Sequence, residues 1–102
     1  MKPIKTARFR GVKYKIDFDA DCAGSCDPPN KPPDREICIH EPIGNNQKSL
    51  YYMTHEALHA LFWQRGEDDI VEAAQDLARF LWRAGWRLKC NEDQGDLQPR
   101  AA

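Results

Sequence analysis

Two consecutive segments, YYMTHEALHALFWQR (51–65) and GEDDIVEAAQDLARFL (66–81), decide how this chain folds. In the second, Ile70, Ala73, Ala74, Leu77 and Leu81 recur at three- and four-residue spacing, the mark of an amphipathic helix. Glu67, Asp68 and Asp69 place negative charge at the positive end of that helix's dipole, and Gly85 is a fitting stop. In the first, Tyr51, Tyr52, Leu58, Leu61, Phe62 and Trp63 supply a core face, and Asn46 is placed to cap a helix over 47–64. Arg65–Gly66 breaks the two apart, which predicts an antiparallel helical hairpin.

Outward from the hairpin the period changes. Val12, Tyr14, Ile16 and Phe18 alternate with Lys13, Lys15 and Asp17, which predicts a half-buried strand over 12–18. Ile37 and Ile39 alternate with Glu36, Cys38 and His40, predicting a second strand over 35–40. Between them DADCAGSCDPPNKPPD (19–34) is rich in proline and reads as a loop. WRLKC (86–90) reads as a short strand, and 91–102 as a mobile tail. The expected fold is α+β, a single domain with a short antiparallel sheet packed on a two-helix hairpin.

The chain has 102 residues, 15 basic and 16 acidic, with a net charge of -1, so its electrostatics point to neither nucleic acid nor an anionic membrane as partner. The basic stretch MKPIKTARFRGVKYK has no apolar run after it, which makes a cytoplasmic location the expectation. Thiols are then the default for Cys22, Cys26, Cys38 and Cys90. The C-x3-C pair Cys22/Cys26 leaves a second zinc site or a disulfide as alternatives.

The chemistry sits in the first helix, where His55, Glu56 and His59 spell H-E-x-x-H. Residues four apart lie on one helix face, so both imidazoles can reach one ion, and Glu56 is offset by roughly 100°. That pattern suits hydrolytic zinc chemistry, in which imidazoles hold the metal, the metal acidifies a water and a carboxylate takes its proton. A hairpin turning at Arg65–Gly66 sets Glu72 opposite His59 and Asp76 opposite His55. Glu72 is therefore the expected third metal ligand, and Asp76 the expected acceptor of a hydrogen bond from His55. The competing reading of Asp69, Glu72 and Asp76 is a solvated polar face balanced by Arg79 and Arg83. His40 is a weaker ligand candidate, and the hydroxyl of Tyr51 or Tyr52 could donate to a developing oxyanion.

His55-Glu56-Ala57-Leu58-His59 together with Glu72-Ala73-Ala74-Gln75-Asp76 resembles the gluzincin branch of zinc metallopeptidases, and in size its minimal members, the minigluzincins. The chain is also similar to small predicted metallopeptidases of phage and bacterial origin, in which a CDPP-type loop and a strand like REICI precede the helix. The resemblance implies zinc held by His55, His59 and Glu72, with Glu56 as general base and acid. It also implies that strand 35–40 pairs with an extended peptide or protein substrate. The expected function is zinc-dependent peptide hydrolysis. The alternatives are a zinc-stabilised binding or regulatory module and a metal-free helical interaction domain.

Overall fold

A computed structural model describes residues 4–19, 22, 24–31, 34–40 and 43–88. The alternating stretch is the longest strand, β2 (Val12–Asp19), and it is preceded by a short strand that was not expected, β1 (Thr6–Phe9), in which Ala7 and Phe9 alternate with the exposed Thr6 and Arg8. The two form an antiparallel hairpin with Phe9 opposite Val12. Arg10 (φ 56°) and Gly11 (φ 81°) both lie in the left-handed region, the requirement of a type I′ turn, whose twist matches the strands it joins.

Within the proline-rich stretch lies β3 (Ser25–Cys26), followed by β4 (Glu36–His40). The sheet order is β1-β2-β4-β3. β2 and β4 run parallel, with Ile16 opposite Ile37 and Phe18 opposite Ile39, while β3 and β4 are antiparallel. The sheet is thus mixed, not antiparallel as expected; the connection between Asp19 and Glu36 has the length that a parallel crossover needs. β4 is interior, and over Ile37–Cys38 both of its edges are taken. The outer edge on that side belongs to β3, so this part of β4 has no free edge for an extended peptide.

Alternation predicted Cys38 on the polar side of its strand, yet it is only 8% exposed. A disulfide to Cys22 covers it, which replaces the expected free thiols at these two positions. The bond spans a sequence separation of 16, and closing a loop of that length contributes about 3 kcal/mol through the unfolded state. Cys26 stays a thiol, and burial pushes its pKa up to about 12, with Glu56 and Asp27 adding to the rise. Cys90 lies outside the described residues.

Helix α1 (Gln47–Leu61) begins as expected, with Asn46 Oδ1 accepting from the Ser49 amide at 2.7 Å. It ends at Leu61 rather than Gln64. Helix α2 (Glu67–Arg83) closes in a Schellman motif. Gly85 (φ 106°) donates to the Trp82 carbonyl and Trp86 to that of Leu81. Residues 86–88 do not form the expected strand. Arg87 lies over the Trp82 ring, and the Leu88 amide donates to Asn45 Oδ1. The rest of that expected strand, 89–90, and the expected mobile tail, 91–102, lie outside the described residues.

The elements stack in a sheet–α1–α2 order. Tyr14, Ile37 and Ile39 of the sheet pack with Ala60, Tyr52 and Met53 of α1, while Leu58 of α1 packs with Ile70 and Ala74 of α2. Among the described residues α2 packs on α1 and not on the strands. No helix among them is long and apolar enough to cross a membrane.

Candidate metal centre

α1 is covered on two flanks, and its H-E-x-x-H residues are divided between them. His55 and His59 are part-buried on the flank toward the start of α2. Their Nε2 atoms are 3.2 Å apart. The carboxylate that meets them is Glu67, the first residue of α2, with Oε2 3.3 Å from His55 Nε2 and Oε1 2.9 Å from His59 Nε2. Among the described residues these three form the group whose donor atoms lie close enough to hold a metal.

The spacing fits zinc. Donors at about 2.0–2.1 Å from a tetrahedral ion are separated from one another by roughly 3.3–3.4 Å. The 3.2 Å between the two Nε2 atoms is close to that edge, and Glu67 meets them with a different oxygen each, Oε2 at 3.3 Å and Oε1 at 2.9 Å, so its carboxylate could meet an ion through either. Neutral imidazoles with free Nε2 lone pairs and an ionised carboxylate are a donor set that suits zinc.

Glu72 does not reach the histidines, and the reason lies in α2's own periodicity. Ile70, Ala74 and Ala78 are the buried stripe, and Glu67 is the same stripe extended back by three residues. Glu72, two residues past Ile70, stands roughly 200° round the helix and is exposed. Asp76 stands likewise two past Ala74; it is exposed and pairs with Arg79 at 3.2 Å. α1 stops at Leu61, so the connection is Phe62–Gly66 and not the expected turn at Arg65–Gly66. By its place in the sequence Glu67 reads as a dipole-compensating acid. The signal that would have found it was the apolar stripe followed one turn toward the N-terminus.

The hydrogen bond expected from Asp76 is made by Tyr51 instead, whose hydroxyl lies 3.0 Å from His55 Nδ1. When Nδ1–H donates to Tyr51, the Nε2 lone pair faces the donor group, the tautomer a metal ligand requires. Desolvation lowers the His55 pKa, with Glu67 opposing and His59 assisting, so the imidazole is held toward its neutral form. Burial, with Glu67 and then Glu56 adding to it, raises the pKa of Tyr51. Tyr52 faces away from this group and stacks edge-on with His40. His40 is likewise outside the donor group, its Nδ1 lying 2.7 Å from the Cys22 carbonyl oxygen.

Glu56 is on α1's other flank and is only 8% exposed. Gly24, just upstream of β3, lies against it, and a Cβ there would come within 3.0 Å of Glu56 Oε2. Gly24 also has a φ of +96°, which favours glycine, and a side chain there would press on the Glu56 carboxylate. Burial raises the Glu56 pKa to about 7, and the nearby Glu67 charge adds to the rise. A carboxyl poised there can accept a proton at neutral pH and return it.

Comparison with protein-family models, with curated proteins and with solved structures returns no match.

Proposed function

We propose that the chain is a zinc-dependent peptidase in which His55, His59 and Glu67 hold the metal and Glu56 is the general base. The observation that carries this reading is the convergence of three donors at 2.9–3.3 Å beside a buried carboxyl that does not join them. A zinc ion held there would supply Lewis acidity, bringing the pKa of a water toward about 7 and polarising a carbonyl. The chain's own residues do the remainder. Tyr51 sets the tautomer of His55, and Gly24 with its neighbours keeps bulk water from Glu56. Glu56 accepts a proton from the water attacking the scissile carbonyl and passes it to the leaving amine. The substrate class is a peptide or protein.

Protein purified without added metal should carry zinc that His59→Ala lacks. Negligible zinc in both would overturn the assignment and leave a metal-free helical interaction domain. Glu56→Gln should keep the zinc and lower turnover of a diverse peptide pool by about 10²- to 10⁴-fold.

One observation favours a second reading, a zinc-stabilised binding or regulatory module. The donors come from the end of α1 and the start of α2, so an ion would staple the hairpin of a domain with a modest core. Zinc binding without hydrolysis in the wild type would select it. A cytoplasmic location requires that the Cys22–Cys38 disulfide be cycled rather than permanent, since reducing compartments open such bonds.

A further inference from the structure

We propose that the Cys22–Cys38 disulfide is a redox latch that holds the Gly24–Cys26 wall against Glu56, an inference that rests on the reading of Glu56 as general base. The wall contains β3, only two residues long, with Ser25 opposite Cys38 and Cys26 opposite Ile37. So short a strand does not hold its place by ladder hydrogen bonds alone. Downstream it is anchored at Asp27. The Asp27 amide donates to the Glu36 carbonyl, the Glu36 amide donates to Asp27 Oδ2, and Tyr14 donates to the Asp27 carbonyl. Upstream the anchors are the disulfide and the contact between His40 Nδ1 and the Cys22 carbonyl oxygen.

The disulfide therefore ties the wall's upstream end to the very residue that Ser25 pairs with. Gly24, between that tie and β3, is the point that touches the carboxylate. Cys38 is buried while Cys22 is part-exposed, so a reductant approaches from the Cys22 side.

In the cell a dithiol reductant opens the bond. Its thiolate attacks one sulfur, a mixed disulfide forms, and its second thiol displaces the protein. Two electrons and two protons pass to Cys22 and Cys38 while the reductant closes to its own disulfide. Among the described residues the upstream end of the wall then keeps the contact between His40 Nδ1 and the Cys22 carbonyl oxygen, and Gly24 leaves Glu56. The metal donors belong to α1 and α2 and are unaffected. The oxidised chain is the competent form, and reduction silences it.

The test uses the full zinc-loaded chain, oxidised and after treatment with a trialkylphosphine. The phosphine becomes its oxide, with water supplying the oxygen and the two thiol protons, and it avoids the zinc affinity of dithiols. Hydrogen exchange resolved by mass spectrometry should quicken at least tenfold at residues 24–26 on reduction, with helix amides around 55–60 and zinc per chain unchanged. Turnover of a fluorogenic peptide pool should fall about 10- to 100-fold, the scale set by a misplaced catalytic group, and recover on reoxidation.

A Cys22→Ser/Cys38→Ser variant should match the reduced form and ignore the phosphine; if it fails to fold, reduced wild type carries the same comparison. Unchanged exchange at 24–26, loss of zinc on reduction, or turnover indifferent to an opened wall would each overturn the latch. Absence of turnover in both states, with zinc bound, would instead overturn Glu56 as the base, and exchange alone would then decide whether the disulfide holds the wall.

Discussion

Glu56 and Glu67 flank the same pair of imidazoles from opposite regions of the molecule. Glu56 lies under the sheet's edge, 8% exposed, with Gly24 against it and a pKa raised to about 7. Glu67 stands at the turn end of the hairpin, its side chain 61% exposed, with both oxygens turned to the histidines. The difference teaches that the layer each side of α1 meets sets the environment of each carboxylate. The sheet flank excludes water and suits a group that exchanges a proton. The α2 flank supplies a carboxylate that reaches back from the next helix and suits a ligand.

The largest break in that comparison comes from removing the exposed partner. Glu67→Ala should weaken zinc binding by more than about 100-fold, beyond the cost of losing an outer partner of a ligand. Competition with a chelator of known affinity measures it. An affinity within tenfold of wild type would mean that Glu67 is a hydrogen-bond acceptor for the histidines and not a ligand.

A smaller effect tests how the histidine flank is held. Tyr51→Phe keeps the ring beside His55 but removes the hydroxyl at 3.0 Å from Nδ1. Zinc affinity should fall about 10- to 100-fold with little change in unfolding temperature. A loss of stability without a loss of affinity would make the tyrosine a packing residue.

Much of this arrangement is legible in the sequence, and what is not shares a physical cause. The helices, β2 and β4 carry their periods locally, and Asn46 and Gly85 act on adjacent backbone. β1 carries its alternation over only four residues, too few to stand out; it pairs because Arg10–Gly11 forms a turn that folds it onto β2. β3, the parallel pairing of β2 with β4 and the Cys22–Cys38 bond depend on residues brought together across the sheet, which spacing alone does not encode. The pair His55/His59 was legible because it lies within one helix. Its third partner depended on which face α2 turns to α1, and the buried stripe of Ile70, Ala74 and Ala78 brings Glu67 rather than Glu72 to the histidines.

The sheet flank can be probed through pH in the metal-free protein with its disulfide intact. Glu56 has a folded pKa of about 7 against an ordinary value of 4.5, so the folded chain binds more protons than the unfolded one between those limits. Its contribution is complete below about pH 4.5 and is lost as pH rises through 7. His55, whose pKa is lowered, works the other way below about pH 6.5, so the difference between wild type and Glu56→Gln isolates the carboxyl. Denaturant unfolding at pH 5 and pH 8 should show wild type losing about 1–3 kcal/mol more than the variant. Parallel curves would mean that Glu56 is solvated and that Gly24 does not cover it.

The smallest expected effects fall on α2's outer face, and their smallness is informative. Glu72 and Asp76 are exposed, and the pairing of Asp76 with Arg79 at 3.2 Å is a surface ion pair. Such pairs are worth about 0.2–1 kcal/mol. Asp76→Ala should therefore shift unfolding by no more than about that, and Glu72→Ala should leave the zinc Kd unchanged within twofold. The two substitutions sit on the same helix as Glu67, carry the same charge change and differ in the face they occupy. A tenfold loss of zinc affinity in Glu72→Ala would require α2 to turn its outer face toward α1, which would expose Ile70 and Ala74. The prediction thus ties the ligand set to the packing of the hairpin: the buried stripe that holds α2 against α1 is what selects Glu67.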